Sequence, residues 1–356
     1  MTCQMVYHKG NCLNTKKPFV RACKLCVEIC PHKAISEYRE LRAKQCTDCG
    51  ACMAVCPSDG FVDRTLDKLH DYLFEGKDRT EIVLNCPQAI PHSFEIPCMG
   101  MLDRDGWMAL MLLAEETPVT IMTGVCAECE DRLACATSVQ TFKEVHEDWP
   151  EHAAIRIQVR PDGDAVNPQT KQIKNGAPRI KLTGWKQKSR DKIEEWLPNL
   201  TAEASYTVPI YRQWLLEALK QKTEGKIPFL ALSVADSCTN CGVCAAICPQ
   251  GALQKQEVMN PDHSAEDPAK EDKIMSLRLI LEPQKCVQCG RCVEVCRPLA
   301  LSLKIKAMSH RLLTGRILIH EGSPRYCIRC GKRIMDNKDL CLACSTSDPS
   351  SLDSFF

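Results

Sequence analysis

The sequence lacks the features of a secreted, membrane-spanning or nucleotide-binding protein. Residues 1–10 contain no apolar segment of the kind found in signal peptides, and no stretch approaches the roughly 18 apolar residues of a membrane span. No G-x-G triplet and no P-loop occur, so the usual dinucleotide and phosphate fingerprints are missing. The HExxH and GxSxG motifs of hydrolases are also missing. We therefore expect a cytoplasmic protein without a direct membrane span.

A strong charge of either sign is lacking as well. The chain has 46 Lys and Arg against 45 Asp and Glu, which gives no general attraction for nucleic acid. Aromatic residues make up only 5% of the chain, few for a surface that stacks bases. Residues 153–192 are locally basic, with ten Lys or Arg against three Asp. We predict no nucleic-acid partner.

Cysteine, in contrast, is abundant, with 26 in 356 residues. Disulfides belong to oxidising compartments, whereas a chain without a signal peptide is expected to hold its thiolates on metal. The cysteines fall in four blocks, 3–56, 86–135, 238–296 and 327–344, with none at 136–237. No C-x3-C-x2-C occurs, which argues against radical-SAM chemistry, and no adjacent Cys-Cys pair occurs.

Two stretches, 46–57 (CTDCGACMAVCP) and 238–249 (CTNCGVCAAICP), repeat one motif. A third copy is 286–298 (CVQCGRCVEVCRP), and 23–31 (CKLCVEICP) is a diverged fourth. In C-x2-C-x2-C-x3-C-P, three thiolates in a tight turn reach one cubane and the last cysteine ligates the other. These motifs resemble the bacterial two-cluster [4Fe–4S] ferredoxin family over roughly 12–62 and 236–303. Four [4Fe–4S] clusters are therefore expected.

The resemblance implies two cross-ligated clusters in the second module. One ligand set would be Cys238, Cys241, Cys244 and Cys296. The other would be Cys286, Cys289, Cys292 and Cys248. Arg297 departs from the family pattern and would place a charge beside Cys296, shifting the potential of that cluster.

The first module departs further from the family. One complete set is formed by Cys46, Cys49, Cys52 and Cys30. The partner set has Cys23, Cys26 and Cys56, but Val20 stands where the fourth cysteine is expected. We predict that Cys12 supplies this ligand; Cys3 and a three-iron cluster are the alternatives. Zinc also binds CxxC pairs, but regularly spaced thiols with a terminal Pro favour cubanes.

The middle of the chain predicts a parallel α/β sheet. Short apolar runs at 81–85, 93–97, 118–123 and 155–160 alternate with helical patterns at 64–77, 105–117 (Asp105 as cap) and 128–147. Cys86, Cys98 and Cys126 each follow a predicted strand, and the carboxyl ends of parallel strands share one edge of the sheet. Cys129 lies near the start of the next helix, where thiolates are favoured. These four predict a fifth cluster, [2Fe–2S] or [4Fe–4S]; Cys135 is predicted to be a buried small hydrophobe.

Residues 80–145 also resemble the iron–sulfur delta subunit of methyl-viologen-reducing hydrogenases. The matching pieces are Leu84-Asn85-Cys86, Cys98-Met99-Gly100 and Gly124-Val125-Cys126. The resemblance implies a [2Fe–2S] cluster in an α/β domain that passes electrons to a heterodisulfide reductase. The early CxxC pair of that family is missing, because Ala89 occupies its second place, and its last two cysteines are further apart.

Two CxxC pairs close the cysteine-rich part of the chain. Their cysteines, Cys327, Cys330, Cys341 and Cys344, resemble a zinc ribbon. Two such pairs on adjacent hairpins form a tetrahedral site with four sulfur ligands. We predict structural zinc, with rubredoxin-type iron as the alternative.

The fold class is predicted as multidomain α+β, with two ferredoxin-like dicluster modules flanking a small parallel α/β domain and a zinc-ribbon tail. The predicted boundaries are 1–63 and 228–320 for the ferredoxin modules, 64–160 for the α/β domain, 161–227 for a linker with helical segments, 321–347 for the zinc ribbon and 348–356 for the tail. Residues 253–276 are polar and are predicted to be a loop.

These features predict an iron–sulfur electron-transfer protein of anaerobic metabolism. It would relay electrons between a redox enzyme (a hydrogenase, dehydrogenase or reductase) and another carrier as a non-catalytic subunit of a soluble complex. The expected partners are hydrogenase, molybdopterin or flavin enzyme subunits. One alternative is an iron–sulfur reductase with a catalytic cluster in the middle domain; another is a cluster-bearing regulator, motivated by the zinc ribbon and the basic stretch.

Overall fold

The computed structural model divides the chain into two compact units. The first contains Met1–Lys16, Val20–His146 and Glu151–Thr207, and the second contains Lys17–Phe19, Glu147–Pro150 and Val208–Phe356. The structure describes residues 3–17, 19, 21–76, 79–89, 94–150, 155–159, 207–222, 225–259, 274–334 and 338–346. The predicted linker at 161–206, most of the basic stretch and the tail lie outside them. None of the described helices is long and apolar enough to cross a membrane.

A four-stranded parallel sheet organises the first unit, as the sequence predicted. Its strands are β3 (Ile82–Asn85), β4 (Phe94–Glu95), β5 (Val119–Thr123) and β6 (Arg156–Val159), in the order β4-β3-β5-β6. All five residues of β5 are buried, as expected for a central strand covered on both faces. The predicted strand positions 81, 96, 97, 118 and 155 are not part of the observed strands, and positions 93 and 160 lie outside the described residues.

Three helices accompany this sheet: α4 (Leu66–Phe74), α5 (Arg104–Ala114) and α6 (Arg132–Asp148). The prediction that Asp105 caps α5 was wrong. Asp103 is the cap, since its Oδ1 accepts a hydrogen bond from the Gly106 amide at 2.7 Å. Trp107 in α5 is fully buried and donates to Ser138 of α6 at 3.0 Å. The contact places α6 beside the segment that carries Cys98, because the Ser138 hydroxyl also donates to the Met99 carbonyl at 2.7 Å.

The N-terminal part of the first unit is built from very short elements. Strand β1 (Met5–Tyr7) pairs antiparallel with β2 (Phe61–Asp63) and brings the two ends of the segment together. Between them lie α1 (Leu13–Lys16), α2 (Leu25–Ile29) and α3 (Ala51–Ala54). Such short elements bury few apolar residues, so the cysteine-rich segment between β1 and β2 depends on other contacts for its shape.

The second unit is mainly antiparallel. Strand β7 (Lys226–Val234) pairs with β10 (Leu301–Ser309), and β9 (Ile274–Leu281) lies between β8 (Leu253–Met259) and β11 (Ile317–Gly322). The prediction of a loop at 253–276 was therefore wrong at both ends. Strand β8 begins at the buried Leu253, and β9 alternates between the buried Leu277, Leu279 and Leu281 and less buried residues, the pattern of a strand with one face on the core. Residues 260–273 lie outside the described part.

The remaining elements of the second unit are α7 (Ile210–Lys220), α8 (Val243–Ile247), α9 (Arg291–Glu294), α10 (His310–Thr314), α11 (Leu342–Thr346) and the hairpin of β12 (Arg325–Tyr326) with β13 (Arg333–Ile334). Helix α7 begins directly after Pro209, inside the stretch predicted as a linker with helical segments. Its buried face includes Trp214, Leu215 and Leu219.

Candidate metal centres

The second ferredoxin segment contains a cavity at its first CxxCxxC turn. The cavity is lined by the sulfur-bearing residues of one predicted ligand set, Cys238, Cys241, Cys244 and Cys296. Gly242 has a φ of +80°, a left-handed conformation that lets the chain turn around the cavity. The Ala300 amide donates to the Cys296 sulfur at 3.3 Å. Amide hydrogen bonds of this kind stabilise negative charge on sulfur.

The other predicted set of this segment is brought together as well. Burial raises the pKa of the Cys292 thiol to about 12, and the neighbouring Cys286, Cys289 and Cys248 raise it further. Burial likewise raises the pKa of Cys286 to about 11. Four half-buried thiols this close to one another are unfavourable as thiolates unless positive charge stands among them, which iron would supply.

The complete set of the first module lines a second cavity. The cysteines around it are Cys30, Cys46, Cys49 and Cys52. The Cys30 sulfur accepts from the Ala34 amide at 3.2 Å, and the Cys46 sulfur accepts from the Asp48 amide at 3.4 Å. The cross-ligation pattern expected from the ferredoxin resemblance therefore matches the residues around both cavities.

The incomplete set has Cys12 beside it. Burial raises the pKa of Cys26 to about 11, the next largest contribution comes from Cys56, and Cys23 and Cys12 add smaller ones. A Cβ on Gly60 would lie 3.1 Å from the Cys56 sulfur and 3.8 Å from the Cys12 Cα, so these two cysteines face the same point. Cys12 thus lies beside the set that Val20 leaves incomplete.

Cys3, the alternative ligand, lies at the other site of the module. Its sulfur donates to Asp48 Oδ1 at 3.1 Å, and the Cys46 sulfur is 3.6 Å from the same oxygen. These three groups bring their ligand atoms within 4.8 Å of one another. Cys3 therefore neighbours the set that already has four cysteines.

Five cysteines, rather than the four predicted, gather in the α/β region. Cys86 lies at the end of β3 and accepts from the Gly124 amide at 3.5 Å, and Cys98 accepts from the Gly100 amide at 3.3 Å. Burial raises the pKa of Cys98 to about 12, with a smaller contribution from Cys86. Cys129 precedes α6 and accepts from the Asp131 amide at 3.4 Å.

The prediction that Cys135 is buried is confirmed, since the residue is 6% exposed, but the sequence did not predict that it lies beside the other cysteines of this group. Burial raises the pKa of its thiol, a hydrogen bond with Cys126 raises it further, and Cys98 and Cys129 also contribute. It was expected in the middle of a helix, but α6 begins only at Arg132, so Cys135 lies in the first turn. Cys135 follows Cys126 by nine residues, which span a turn and the start of a helix, and this spacing was the signal in the sequence for their proximity.

The cysteines of the α/β region adjoin those of the first module. Asp131 Oδ1 accepts from the Thr47 hydroxyl at 2.7 Å and lies 2.8 Å from His32 Nε2; Thr47 and His32 both line the cavity of the first module. A Cβ on Gly50 would lie 2.4 Å from the Met101 Cβ. Only a residue without a side chain permits this approach between the cysteine turn and the segment after Cys98.

The C-terminal cysteines form a tighter group. The sulfurs of Cys327, Cys330, Cys341 and Cys344 all lie within 4.8 Å of one another, and those of Cys330 and Cys341 are 3.6 Å apart. Sulfurs bound tetrahedrally to one ion at 2.3 Å would be about 3.8 Å apart. Backbone amides of Cys341, Cys330 and Arg329 lower the pKa of Cys327 to about 6, which favours the metal-binding thiolate.

The distances between the sulfurs distinguish two kinds of metal site. Among the described residues, neither of the two cysteine cavities brings all four sulfurs as close together as the C-terminal group does. One ion holds its sulfurs no more than about 4.6 Å apart, whereas a cubane binds each sulfur to a different iron. The residues around the cavities thus fit a multi-iron cluster, and the C-terminal group fits a single ion.

Comparisons with known proteins agree with the ferredoxin part of this description. Residues 237–300 match the family model of the 4Fe-4S dicluster domain, so the prediction of a ferredoxin-type dicluster domain there is confirmed. The chain is 36% identical over 86 residues to polyferredoxin protein MvhB of Methanothermus fervidus, covering 19% of this chain and 21% of that protein. It is 30% identical over 79 residues to a pyruvate-flavodoxin oxidoreductase of Klebsiella pneumoniae, covering 20% and 7%.

A third relative is one of the subunits of the ferredoxin:CoB-CoM heterodisulfide reductase of Methanosarcina acetivorans, 28% identical over 106 residues, which are 26% of this chain and 12% of that protein. The chain spans less than a quarter of the length of each of these relatives. No solved structure matches the chain.

Proposed function

We propose that this protein transfers electrons between redox proteins through a series of [4Fe–4S] clusters. The observation that supports this most directly is the pair of cavities in the two units. Each is lined by three cysteines of one motif and the last cysteine of the companion motif. This cross-ligation suits two-cluster ferredoxins, and one of the two cavities lies in the segment that matches the dicluster domain.

Four clusters follow from the cysteine sets. Two would be held by the sets that line the cavities, one by Cys286, Cys289, Cys292 and Cys248, and one by Cys23, Cys26, Cys56 and Cys12. A fifth, in the α/β region, would draw its ligands from Cys86, Cys98, Cys126 and Cys129, with Cys135 beside them. The C-terminal group would hold zinc in a structural ribbon. Two ferredoxin modules and a ribbon on one chain are part of this proposal.

The chain itself has three tasks in such a relay. Its cysteines hold each cluster, its buried surroundings limit water at the sulfurs, and its amides donate to them, as the Ala300 amide does to Cys296. Each bound cluster supplies reversible one-electron chemistry. In the first unit, the α/β cysteines adjoin the first module through Asp131, which suits transfer between neighbouring sites.

The nature of the relatives supports redox partners. They are a polyferredoxin, an oxidoreductase named for pyruvate and flavodoxin, and a component of a heterodisulfide reductase. We infer that the chain exchanges electrons with enzyme subunits of the hydrogenase, molybdopterin or flavin classes in the cytoplasm. It would work as a non-catalytic subunit of a soluble complex.

The test is metal analysis and EPR spectroscopy of the full-length protein purified anaerobically. We expect about 16 to 20 irons per chain, the sum over four or five clusters, and one zinc. Reduction with dithionite should give EPR signals of reduced [4Fe–4S] clusters. Fewer than about six irons in fully reconstituted protein would contradict the proposal. Steady reduction of a disulfide by the chain alone would instead favour the reductase alternative.

The zinc site can be tested separately on the same protein. Cys330→Ser should release the zinc and leave the iron content unchanged, because the C-terminal group is separate from the ferredoxin sets. Iron in place of zinc at this group in the unaltered protein would favour the rubredoxin-type alternative.

A further inference from the structure

The two cysteine sets of the second unit share one motif but differ in the cations near them. Arg212 of α7 lies beside the set of Cys248, Cys286, Cys289 and Cys292, although it is outside the segment that matches the dicluster domain. The sequence had singled out Arg297 as the charge that shifts a potential. Arg297 is exposed, whereas Arg212 is only 3% exposed.

The position of Arg212 is defined by contacts on both sides of its guanidinium group. Nη1 donates to the carbonyl oxygens of Pro283 and Cys286, each at 3.3 Å. The guanidinium carbon lies 4.6 Å from the centre of the Phe229 ring, which is 1% exposed. The positive charge is therefore held in a buried environment next to a cysteine of the set.

A second arginine lies close to the same set. Arg291 follows the CxxCG turn directly before Cys292 and is 4% exposed. Its Nη1 donates to the Lys17 carbonyl oxygen at 2.8 Å, and Lys17 belongs to the same unit. Two buried positive charges thus stand near one set of four cysteines.

The cations near the sister set are in a different environment. Lys255 and Arg278 line the cavity of Cys238, Cys241, Cys244 and Cys296. Lys255 is 3.4 Å from Glu257, and the partly exposed Arg278 is 2.9 Å from Glu321. The side chains of Lys255 and Arg278 are 21% and 40% exposed, and solvent weakens the field that they exert on the cavity.

Reduction of a cluster adds one electron and therefore one negative charge. A buried cation stabilises the reduced form more than a partly exposed cation, because the interior screens charge less than water. We propose that Arg212, supported by Arg291, makes the cluster of Cys248, Cys286, Cys289 and Cys292 the higher-potential member of the pair. An electron that enters this unit then rests on that cluster. Arg212 is a positioning residue for charge, and the inference rests on the proposed function because both sets must hold clusters.

The test is a redox titration of full-length protein, followed by EPR. Arg212→Gln removes the charge and keeps a hydrogen-bond donor, Arg212→Met removes both, and Arg212→Lys keeps the charge. Cys289→Ser and Cys241→Ser identify the signals of the two clusters in the unaltered protein. At the midpoint potential of the unaltered protein, the ratio of reduced to oxidised cluster in the Cys289-dependent signal should be on the order of tenfold lower in Arg212→Gln. Arg212→Lys should retain most of the original value.

Arg278→Met is the matched control at the sister site. It should leave the ratio of reduced to oxidised cluster within a factor of about two for both signals, because the Arg278 charge is partly exposed. An unchanged Cys289-dependent signal in iron-replete Arg212→Gln and Arg212→Met would overturn this inference alone. A sister cluster that is reduced first in the unaltered protein would also overturn it. A chain that binds no iron would overturn the proposed function and this inference together.

Discussion

The two cysteine-rich modules reach a similar arrangement by different means. In the second unit, both sets come from two regular motifs, and this is the segment that matches the dicluster domain. In the first unit, one motif is incomplete, and Cys12 comes to the incomplete set from a separate stretch of chain. A motif describes only what is local in sequence. In the first module, a cysteine from outside the motif lies beside the incomplete set, and the pairing of β1 with β2 closes the segment that contains both.

The modules also differ in what packs against their cysteine turns. Gly50 in the first module touches Met101 of the α/β region, whereas a Cβ on Gly290 in the second would meet nothing within 4 Å. Thr47 donates to Asp131, which belongs to the same region. The first module is thus joined to the α/β region at the cluster-binding turn itself, while the second encloses its sites within an antiparallel framework.

The largest expected effect breaks the incomplete set. Cys12→Ser should remove between about one and four irons per chain, the iron that Cys12 would bind and, where three thiolates do not retain the cluster, the rest of it. Anaerobic iron analysis and EPR measure the loss. Cys3→Ser is the matched control and should keep all the iron, because Cys3 neighbours a set that already has four cysteines. The reverse result would assign the ligand to Cys3.

A smaller effect compares the two glycines. Gly50 and Gly290 have φ values of +76° and +73°, so an alanine at either position costs about 1 kcal/mol in backbone strain. Gly50→Ala adds overpacking against Met101 of about 1–3 kcal/mol, which Gly290→Ala does not. Thermal unfolding of the iron-loaded proteins should show the larger loss for Gly50→Ala. Equal losses would contradict the close packing of the first module.

The smallest expected effect concerns the hydroxyl beside Asp131. Thr47→Val removes the 2.7 Å hydrogen bond to the carboxylate and should lower the free energy of unfolding by about 1.5 kcal/mol. Thr239→Val changes the same motif position in the second module and should stay within about 0.5 kcal/mol. Denaturant unfolding under anaerobic conditions compares the two. A loss of similar size in both variants would mean that the contact with Asp131 does not contribute to the free energy of unfolding.

The parallel sheet and the neighbours of most cysteines could be predicted, because both follow from local patterns. Alternating strands and helices predicted the sheet, and the spacing of each motif predicted its turn and the direction of its last cysteine. The prediction of secondary structure was wrong where a local sequence pattern is compatible with two structures. The polar stretch at 253–276 was predicted to be a loop, although polar residues also form a strand when a neighbouring strand pairs with them, as β8 and β9 do.

What the sequence alone determined is the type of chemistry and the pairing of motifs. Cysteines separated by two or three residues limit which thiols can reach one cluster. This limit follows from the sequence without any tertiary contact. Only the tertiary structure decided which distant groups join these sites. It brought Cys12 to an incomplete set, Cys135 to the α/β cysteines and the Arg212 charge to Cys286. Such contacts depend on packing between segments that are far apart in the chain, and the spacing of residues along the sequence does not predict that packing.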